Sequence, residues 1–258
     1  MTNNPTYTTE LLVTQLHSDD SATRFDAASL IGIDRVTDAA DALAARLGAE
    51  TDCQVRERVT WATVQVIDAA LPAVLALLDS PDAEARMQAA HVLSKAARPE
   101  FAAHLAPLVA DADAQVAIKA YRAAANTGDA SVVPLLAARL GDGDAHQTDA
   151  LTNAFVTLGG AGVPALVEAL TSERVAVRRH AAETLGHLGP DADAAVDALT
   201  GATADADAEV RVMAATALGQ LGPVADEALA ALAAGDDSVL ASVAGALAAR
   251  RKRLAARA

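Results

Sequence analysis

Residues 177–186 read VRRHAAETLG, and residues 210–219 read VRVMAATALG. Both runs place two alanines and a leucine at helical spacing after a Val-Arg dipeptide, and both end in glycine. Aligned on the arginine, the pattern recurs along the chain at a spacing of about 31 residues, which is typical of stacked two-helix repeats. The column contains Arg24, Arg56, Arg86, Ala117, Thr148, Arg178, Arg211 and Leu240. The chain is therefore predicted to be all-α, an α-solenoid of about eight repeats.

An aspartate lies four residues before this column in nearly every repeat. The series is Asp20, Asp52, Asp82, Asp113, Asp144, Asp207 and Asp236. An aspartate at this place accepts hydrogen bonds from the free amides of a helix's first turn, so it predicts a helix start. Arg174 breaks the series, and Ser172 or Glu173 is the expected substitute cap there.

The run DADAEVR at residues 205–211 carries a family resemblance. Together with the Ala-Ala-x-x-Leu-Gly that follows, it resembles HEAT-like repeats of the phycobilisome-lyase type, over roughly residues 9–250. The resemblance implies a ladder of hydrogen bonds between adjacent repeats, made by turn aspartates and column arginines. The ladder arginines would be Arg24, Arg56, Arg86, Arg178 and Arg211. Repeats 4, 5 and 8 lack the arginine, so the ladder is expected to be interrupted there.

The chain is predicted to form one solenoid over residues 9–258, after an N-terminal tail at 1–8. Its dense basic run, Arg250-Arg251-Lys252-Arg253, lies at the end of the last helix. Residues 250–258 are interpreted as a cap, because cations complement the negative end of a helix dipole. A docking tail for an acidic partner or for nucleic acid is the alternative interpretation.

The formal net charge is −14, and only three lysines are present, Lys95, Lys119 and Lys252. Such acidic, lysine-poor, alanine-rich chains resemble proteins of salt-loving archaea and bacteria; an ordinary acidic protein is the alternative. The charge argues against nucleic acid as the main partner, since phosphate contacts need clustered Lys and Arg. The N-terminus lacks the features of a signal peptide, and the longest apolar run is too short to span a bilayer. A cytoplasmic protein without membrane contact, and monomeric, is expected.

A variable stripe is predicted on the second helix of each repeat, at the second, fifth and ninth residues after the column. Its basic and aromatic members oppose the sign of the whole chain, and second helices usually line the concave, ligand-binding face of a solenoid. The candidate partner-binding residues are Arg58, Trp61, His91, Lys95, Lys119, Arg122, His180 and His187. The alternative interpretation is that the aspartates occupy the other surfaces and leave basic residues to this face by default.

Catalysis has no support in the sequence, and no cofactor or metal is expected. His180 and His187 lie about 10.5 Å apart along a helix, too far to ligate one ion together. Cys53 is the single cysteine, which excludes an internal disulfide and a thiolate metal cluster. The His-Glu dipeptides of the related deoxyhypusine hydroxylases do not occur. A non-catalytic scaffold that binds a protein partner, including an acidic segment, on the concave face is predicted. The alternative is a bilin-lyase-like enzyme subunit, although a pigment site calls for more apolar and aromatic side chains than the stripe offers.

Overall fold

The protein is described from a computed structural model, which covers the backbone of residues 7–255 and the side chains of residues 7–253. The predicted N-terminal tail therefore lies mostly outside the described residues, as does the end of the basic run. The described chain is helical, and it divides into two compact units between Gly128 and Asp129. Whether residues 9–258 act as a single solenoid stays a prediction.

Unit 1 consists of four helix pairs, each a first helix followed by a second. The helices are α1 (Thr9–Leu16), α2 (Ser21–Asp34), α3 (Ala40–Ala49), α4 (Cys53–Gln65), α5 (Ile67–Leu78), α6 (Ala83–Ala96), α7 (Ala102–Leu105) and α8 (Ala114–Asn126). The second helices pack side by side, α2 on α4, α4 on α6 and α6 on α8. This is the stacking of an α-solenoid, and it places the stripe residues of successive helices on neighbouring elements.

Unit 2 consists of four further pairs. The helices are α9 (Val133–Ala137), α10 (Ala145–Leu158), α11 (Val163–Ala169), α12 (Val175–Leu188), α13 (Val196–Ala202), α14 (Ala208–Leu218), α15 (Asp226–Ala233) and α16 (Ser238–Ala255). Here too the second helices pack in series, α10 on α12, α12 on α14 and α14 on α16. Several first helices are short and begin in a 3-10 turn, and Pro134 and Pro164 occupy first-turn positions where a missing amide costs little.

The core is built from aliphatic side chains and alanine. The residue seven positions after the column is fully buried in each of repeats 1 to 7. These residues are Ile31, Thr63, Leu93, Ala124, Phe155, Leu185 and Leu218. Small residues permit close approach of the second helices: a Cβ at Gly186 would lie 3.2 Å from the Cα of Ala217. Alanine and glycine are abundant because the second helices pack this closely.

Six of the predicted aspartate caps close the helices as expected. Asp52, for example, accepts from the amides of Gln54 and Val55 at 2.9 and 3.1 Å. The six are Asp20, Asp52, Asp82, Asp113, Asp144 and Asp207. At α12, Arg174 occupies the cap position and no side chain bonds the first turn. Ser172 accepts only from the Arg174 amide, so it does not replace the missing cap.

The predicted cap of the last repeat was wrong by one residue. Asp237, not Asp236, accepts from the amides of Val239 and Leu240, at 3.0 and 3.1 Å. Leu240 is therefore the buried residue of the first turn, and the column position falls on Ala241, whose amide bonds the Asp237 carbonyl. Two consecutive aspartates left the register open in the sequence, and burial of Leu240 settles it.

Column arginines link adjacent repeats through ion pairs. The bidentate pairs are Arg24–Glu50, Arg86–Asp111 and Arg178–Asp205, with N–H···O distances between 2.7 and 2.9 Å. In each pair the carboxylate comes two residues before the capping aspartate of the next second helix, and it also accepts that aspartate's amide. The acid that contacts the arginine is thus not the cap itself.

The other two ladder arginines use different partners, because a serine or a glycine occupies the place two residues before the next cap. Arg56 donates to Glu84 at 3.1 Å, and the Nε of Arg211 lies 3.8 Å from Asp237. Repeats 4 and 5, which lack the column arginine, are the repeats on either side of the unit boundary. In repeat 5 the Thr148 hydroxyl donates only to its own helix, at the Asp144 carbonyl.

One residue of the basic run, Arg251, connects the last helix α16 to α14 and α15 within unit 2. Arg251 donates to the carbonyls of Leu218 and Gly222, at the end of α14, and lies 3.3 Å from the Asp226 carboxylate. A cation at these carbonyls complements the negative end of the α14 dipole. Arg251 therefore caps a neighbouring helix, while Arg250, Lys252 and Arg253 are exposed.

One helical run in the described part of the chain, Ala145–Ala169, is long and apolar enough to cross a membrane by length and composition alone. It consists of α10 and α11, joined by the 3-10 turn Gly159–Gly162, with Gly159 at φ 57°. Gly162 is buried against the Phe155 ring, inside unit 2. Core helices of this kind meet the same criterion, so the run is weak evidence for a membrane span.

Candidate functional site

Six predicted partner-binding residues lie on three neighbouring helices of unit 1. Helix α4 provides Arg58 and Trp61, α6 provides His91 and Lys95, and α8 provides Lys119 and Arg122. Residues three or four apart share a helix face, and α4, α6 and α8 pack in series. We call these six residues the unit-1 stripe.

An arginine stacked between two aromatic rings lies at the α4 end of this stripe. The Arg58 guanidinium carbon is 4.6 Å from the Phe25 ring centre and 5.2 Å from that of Trp61. Trp61 itself covers Gly32 of α2, where any Cβ would overlap the indole. Each cation–π contact contributes about 0.5–1 kcal/mol at an exposed site and restricts the guanidinium. Arg58 is half-buried and forms no hydrogen bond or ion pair with any described residue.

His91 lies in the middle of the stripe among charged groups from all three helices. Its Nε2 is 3.3 Å from a Glu57 carboxylate oxygen of α4, without hydrogen-bond geometry. Burial lowers the pKa of His91 below its ordinary value, and the charges of Lys119 and Lys95 lower it further, whereas Glu57 acts in the opposite direction. His91 is therefore mainly neutral at neutral pH.

The cations of the stripe differ from the other cations of unit 1 in having no ionic partner. Off the stripe, Arg24, Arg46, Arg56, Arg86 and Arg98 all form ion pairs. On the stripe, Arg58, Lys95, Lys119 and Arg122 form no ion pair or hydrogen bond with any described residue. Among the described Lys and Arg side chains of unit 1, Arg35 is the one further unpaired cation. Within unit 1, unpaired positive charge is thus concentrated on the stripe.

The two histidines predicted for the stripe in unit 2 have different environments. His187 is exposed beside a shallow groove between α12 and α14, which Glu183, Met213, Thr216 and Gln220 also line. The groove is open and has an alanine and glycine floor. The structure does not join His187 to the unit-1 stripe in one described surface.

His180 was wrongly predicted to be available on the surface, because its side chain is buried against α10. Its Nδ1 accepts from the Gly141 amide at 3.1 Å, and its Nε2 lies 3.0 Å from the Thr152 hydroxyl. Burial lowers the pKa of His180, consistent with a neutral ring whose Nε2 carries the proton. His180 is a buried hydrogen-bonding residue between repeats.

The error has a simple geometric cause. The second residue after the column points toward the second helix of the preceding repeat, as Arg58 does toward Phe25. A long side chain at this position reaches past the neighbouring helix into solvent, but a histidine ends within the contact. Trp61 and Lys95, at a fifth and a ninth position, are exposed, whereas His91, also at a fifth position, is largely buried.

The described residues contain no group of three or more His, Cys, Asp or Glu side chains arranged to hold a metal ion. Cys53 is exposed as the first residue of α4. The surface that the structure assembles from the predicted residues is therefore a cationic and aromatic one.

Residues 163–249 match the family model for HEAT repeats. A search of curated proteins finds no match. Among solved structures, the complex of CpcE and CpcF of phycocyanin lyase from Nostoc is 24% identical, with a TM-score of 0.44, over 88% of this chain and 94% of that chain. Kap121p is 13% identical with a TM-score of 0.55, over 93% of this chain and 33% of Kap121p. Kap95p, in its complex with RanGDP, is 13% identical with a TM-score of 0.56, over 91% and 38% of the two chains.

The karyopherin structures share the fold, and this chain spans only about a third of their length. Their sequences are too distant to indicate a shared function. The helix pairs and these neighbours together establish an all-α solenoid fold, as the period of the column predicted, and the HEAT match covers residues 163–249 of it.

Proposed function

We propose that this chain, a HEAT-like repeat α-solenoid, is a non-catalytic scaffold that binds an acidic segment of a partner protein on the unit-1 stripe. The observation that carries the proposal is the set of cations without ionic partners, Arg58, Lys95, Lys119 and Arg122. In a chain with a net charge of −14, carboxylates are plentiful, and every ladder arginine has found one. The four stripe cations have no carboxylate partner among the described residues.

This pattern also bears on the alternative that basic residues reach the stripe by default. A default placement gives no reason for Arg58, Lys95, Lys119 and Arg122 to lack ion pairs with described residues while most other arginines of unit 1 have them. Cations clustered on one face focus the electrostatic potential there, and they attract a ligand of opposite sign even when the whole molecule repels it. Charge, hydrogen-bond donors and an aromatic surface are means of recognition, and Trp and Arg are the residues that most often dominate binding energy at interfaces.

The HEAT-like architecture agrees with this role. Second helices commonly line the concave face of such solenoids, where an extended segment contacts several repeats at once. Each repeat adds a similar small surface, and binding energy accumulates along the stack. An acidic segment that crosses α4, α6 and α8 would contact all four unpaired cations.

Charge reversal on α8 tests the proposal. Lys119→Glu with Arg122→Glu should weaken binding of a fluorescein-labelled hexaglutamate peptide at least tenfold in 50 mM KCl, because attraction becomes repulsion. Fluorescence anisotropy gives the affinity. Circular dichroism should show unchanged helicity, since Arg122 is exposed and Lys119 half-buried without partners.

The matched control is Lys252→Glu with Arg253→Glu, which changes the net charge equally at exposed, unpaired residues of α16. Its affinity for the peptide should fall much less. If the two double variants lose affinity equally, only net charge matters and the stripe is not the site. If the wild-type protein does not bind the peptide at all, the proposal fails.

A further inference from the structure

We infer that the segment bound by the unit-1 stripe contains an aliphatic or aromatic residue and a cluster of carboxylates. About six residues separate the two, and either one comes first along the segment. The inference rests on the proposed function and specifies its ligand. It follows from the unequal chemistry of the two ends of the surface.

The end formed by α2 and α4 carries the exposed apolar side chains of the surface, beside the charged Glu57 and Arg58. Ile33 of α2 occupies the stripe position of repeat 1 and is 65% exposed, the largest exposed fraction among the large apolar side chains of the described residues. It follows Gly32, which the Trp61 ring covers, and Trp61 is itself 36% exposed. Ile33 thus directly follows the residue that Trp61 covers, and exposed apolar side chains gain free energy when a ligand's apolar side chain covers them.

The opposite end is cationic. Lys119 and Arg122 lie on α8, and Lys95 on the adjoining α6 is exposed. Tyr121, the aromatic residue of α8, is buried, so this end presents charge without an exposed ring. Carboxylates of a ligand are best accommodated here, whereas Arg58 is already held against Phe25 and Trp61 at the apolar end.

The separation of the two ends sets the ligand's spacing. Packed helices lie about 8–10 Å apart. Measured from Trp61 on α4, whose ring covers Gly32 beside Ile33, the two steps to Lys119 and Arg122 on α8 cover about 18 Å. An extended peptide advances about 3.3 Å per residue. About six residues therefore separate the apolar anchor from the carboxylates. The direction of the chain is not fixed by these contacts, so both directions belong in the test.

Single-stranded nucleic acid has stacking bases and negative charge, and it is the competing ligand for a surface with Trp61 and four cations. The net charge of −14 opposes a continuous polyphosphate more than a peptide with charge at one end. A second copy of this acidic chain is the other competitor. Both enter the experiment as outcomes that would overturn the inference.

The experiment uses four fluorescein-labelled peptides with wild-type protein in 50 mM KCl. The first has a leucine, five serine or glycine residues and three glutamates; the second has the reverse order; the third and fourth replace the leucine by serine. We expect one leucine peptide to bind about tenfold more tightly than its serine counterpart. Ile33→Ser should remove most of this advantage without changing affinity for the serine peptide.

Val239→Ser is the control, because Val239 is 58% exposed on α16 of unit 2 and is not a stripe residue. It should leave the leucine advantage intact. Equal affinity for leucine and serine peptides would contradict the apolar anchor while leaving the acidic ligand of the proposed function in place. No binding of any peptide would contradict both. Tighter binding of oligothymidylate than of the leucine peptides, or a dimer that Lys119→Glu with Arg122→Glu dissociates, would overturn the inference in favour of those ligands.

Discussion

Glu50 is the most strongly held ionisable side chain of unit 1. It is fully buried, and it accepts two hydrogen bonds from Arg24, one from Arg46 and one from the Asp52 amide. Burial by itself raises the pKa of the Glu50 carboxyl, but the two arginines and the amide outweigh burial and lower the pKa to about 2. Removing this one carboxylate would leave the guanidinium groups of Arg24 and Arg46 and the backbone amide of Asp52 without their acceptor.

Glu50→Gln should therefore lower the free energy of unfolding by about 3 kcal/mol at pH 7, since it breaks a buried ion pair from one side. Glu84→Gln is the matched control: the Arg56–Glu84 pair occupies the next step of the ladder but is much more exposed, so the loss should stay below about 1 kcal/mol. Urea unfolding measures both. Equal losses would show that burial does not distinguish the two pairs.

The same carboxylate makes stability depend on pH. Because the folded pKa of Glu50 is below the unfolded value of about 4.5, its contribution is complete above about pH 4.5 and is lost as pH falls toward about 2. The unfolding midpoint of Glu50→Gln should consequently fall less steeply across that range than the midpoint of the wild-type protein. Parallel slopes would assign the acid sensitivity to other groups.

At the scale of single residues, the sequence predicted which residues share a helix face better than it predicted which of them are exposed. The fifth and ninth positions of the stripe were predicted correctly as exposed at Trp61 and Lys95, because helical period alone determines which face they share. His180 was not, because its exposure depends on how closely α10 approaches. The unpaired state of the stripe cations also depends on tertiary neighbours, so no sequence pattern predicts it.

At the scale of elements, the caps and the period predicted the second helix of each repeat. The short first helices and the register of α16 differ from the prediction because of turn chemistry. The first helices α7 and α9 are shorter than a typical amphipathic helix because 3-10 turns replace part of each, and the turns on either side of α7 contain Pro99 and Pro107. The register of α16 depended on which of two neighbouring aspartates caps it. Local hydrogen-bond geometry, rather than composition, decides such cases.

Asp237→Ala should destabilise unit 2 by about 1 kcal/mol, because the amides of Val239 and Leu240 lose their acceptor. Hydrogen exchange in the first turn of α16 should rise correspondingly. Asp236→Ala, which removes the same charge one residue earlier, should change both measurements little. A larger effect at Asp236 would restore the cap that the sequence alone predicted.

At the scale of the whole molecule, which has a net charge of −14, added salt acts on stability and on binding in opposite directions. Self-repulsion destabilises the compact state in dilute buffer, and salt screens it. We expect the thermal midpoint to rise between about 10 mM and 1 M KCl. A flat or falling midpoint would contradict both this effect and the resemblance to proteins of salt-loving organisms. The affinity of the stripe for acidic peptides should fall over the same range, because the same ions screen that attraction.

The most direct measurement uses Trp61, which is the only tryptophan of the chain and lies on the unit-1 stripe. Its fluorescence therefore reports occupation of the proposed site. Titration with an unlabelled peptide of one leucine, five serine or glycine residues and three glutamates, in the preferred direction, should change the emission saturably. The change should disappear in Lys119→Glu with Arg122→Glu, which keeps the tryptophan. Unchanged Trp61 emission at peptide concentrations where anisotropy shows binding would place the acidic ligand elsewhere and contradict the account.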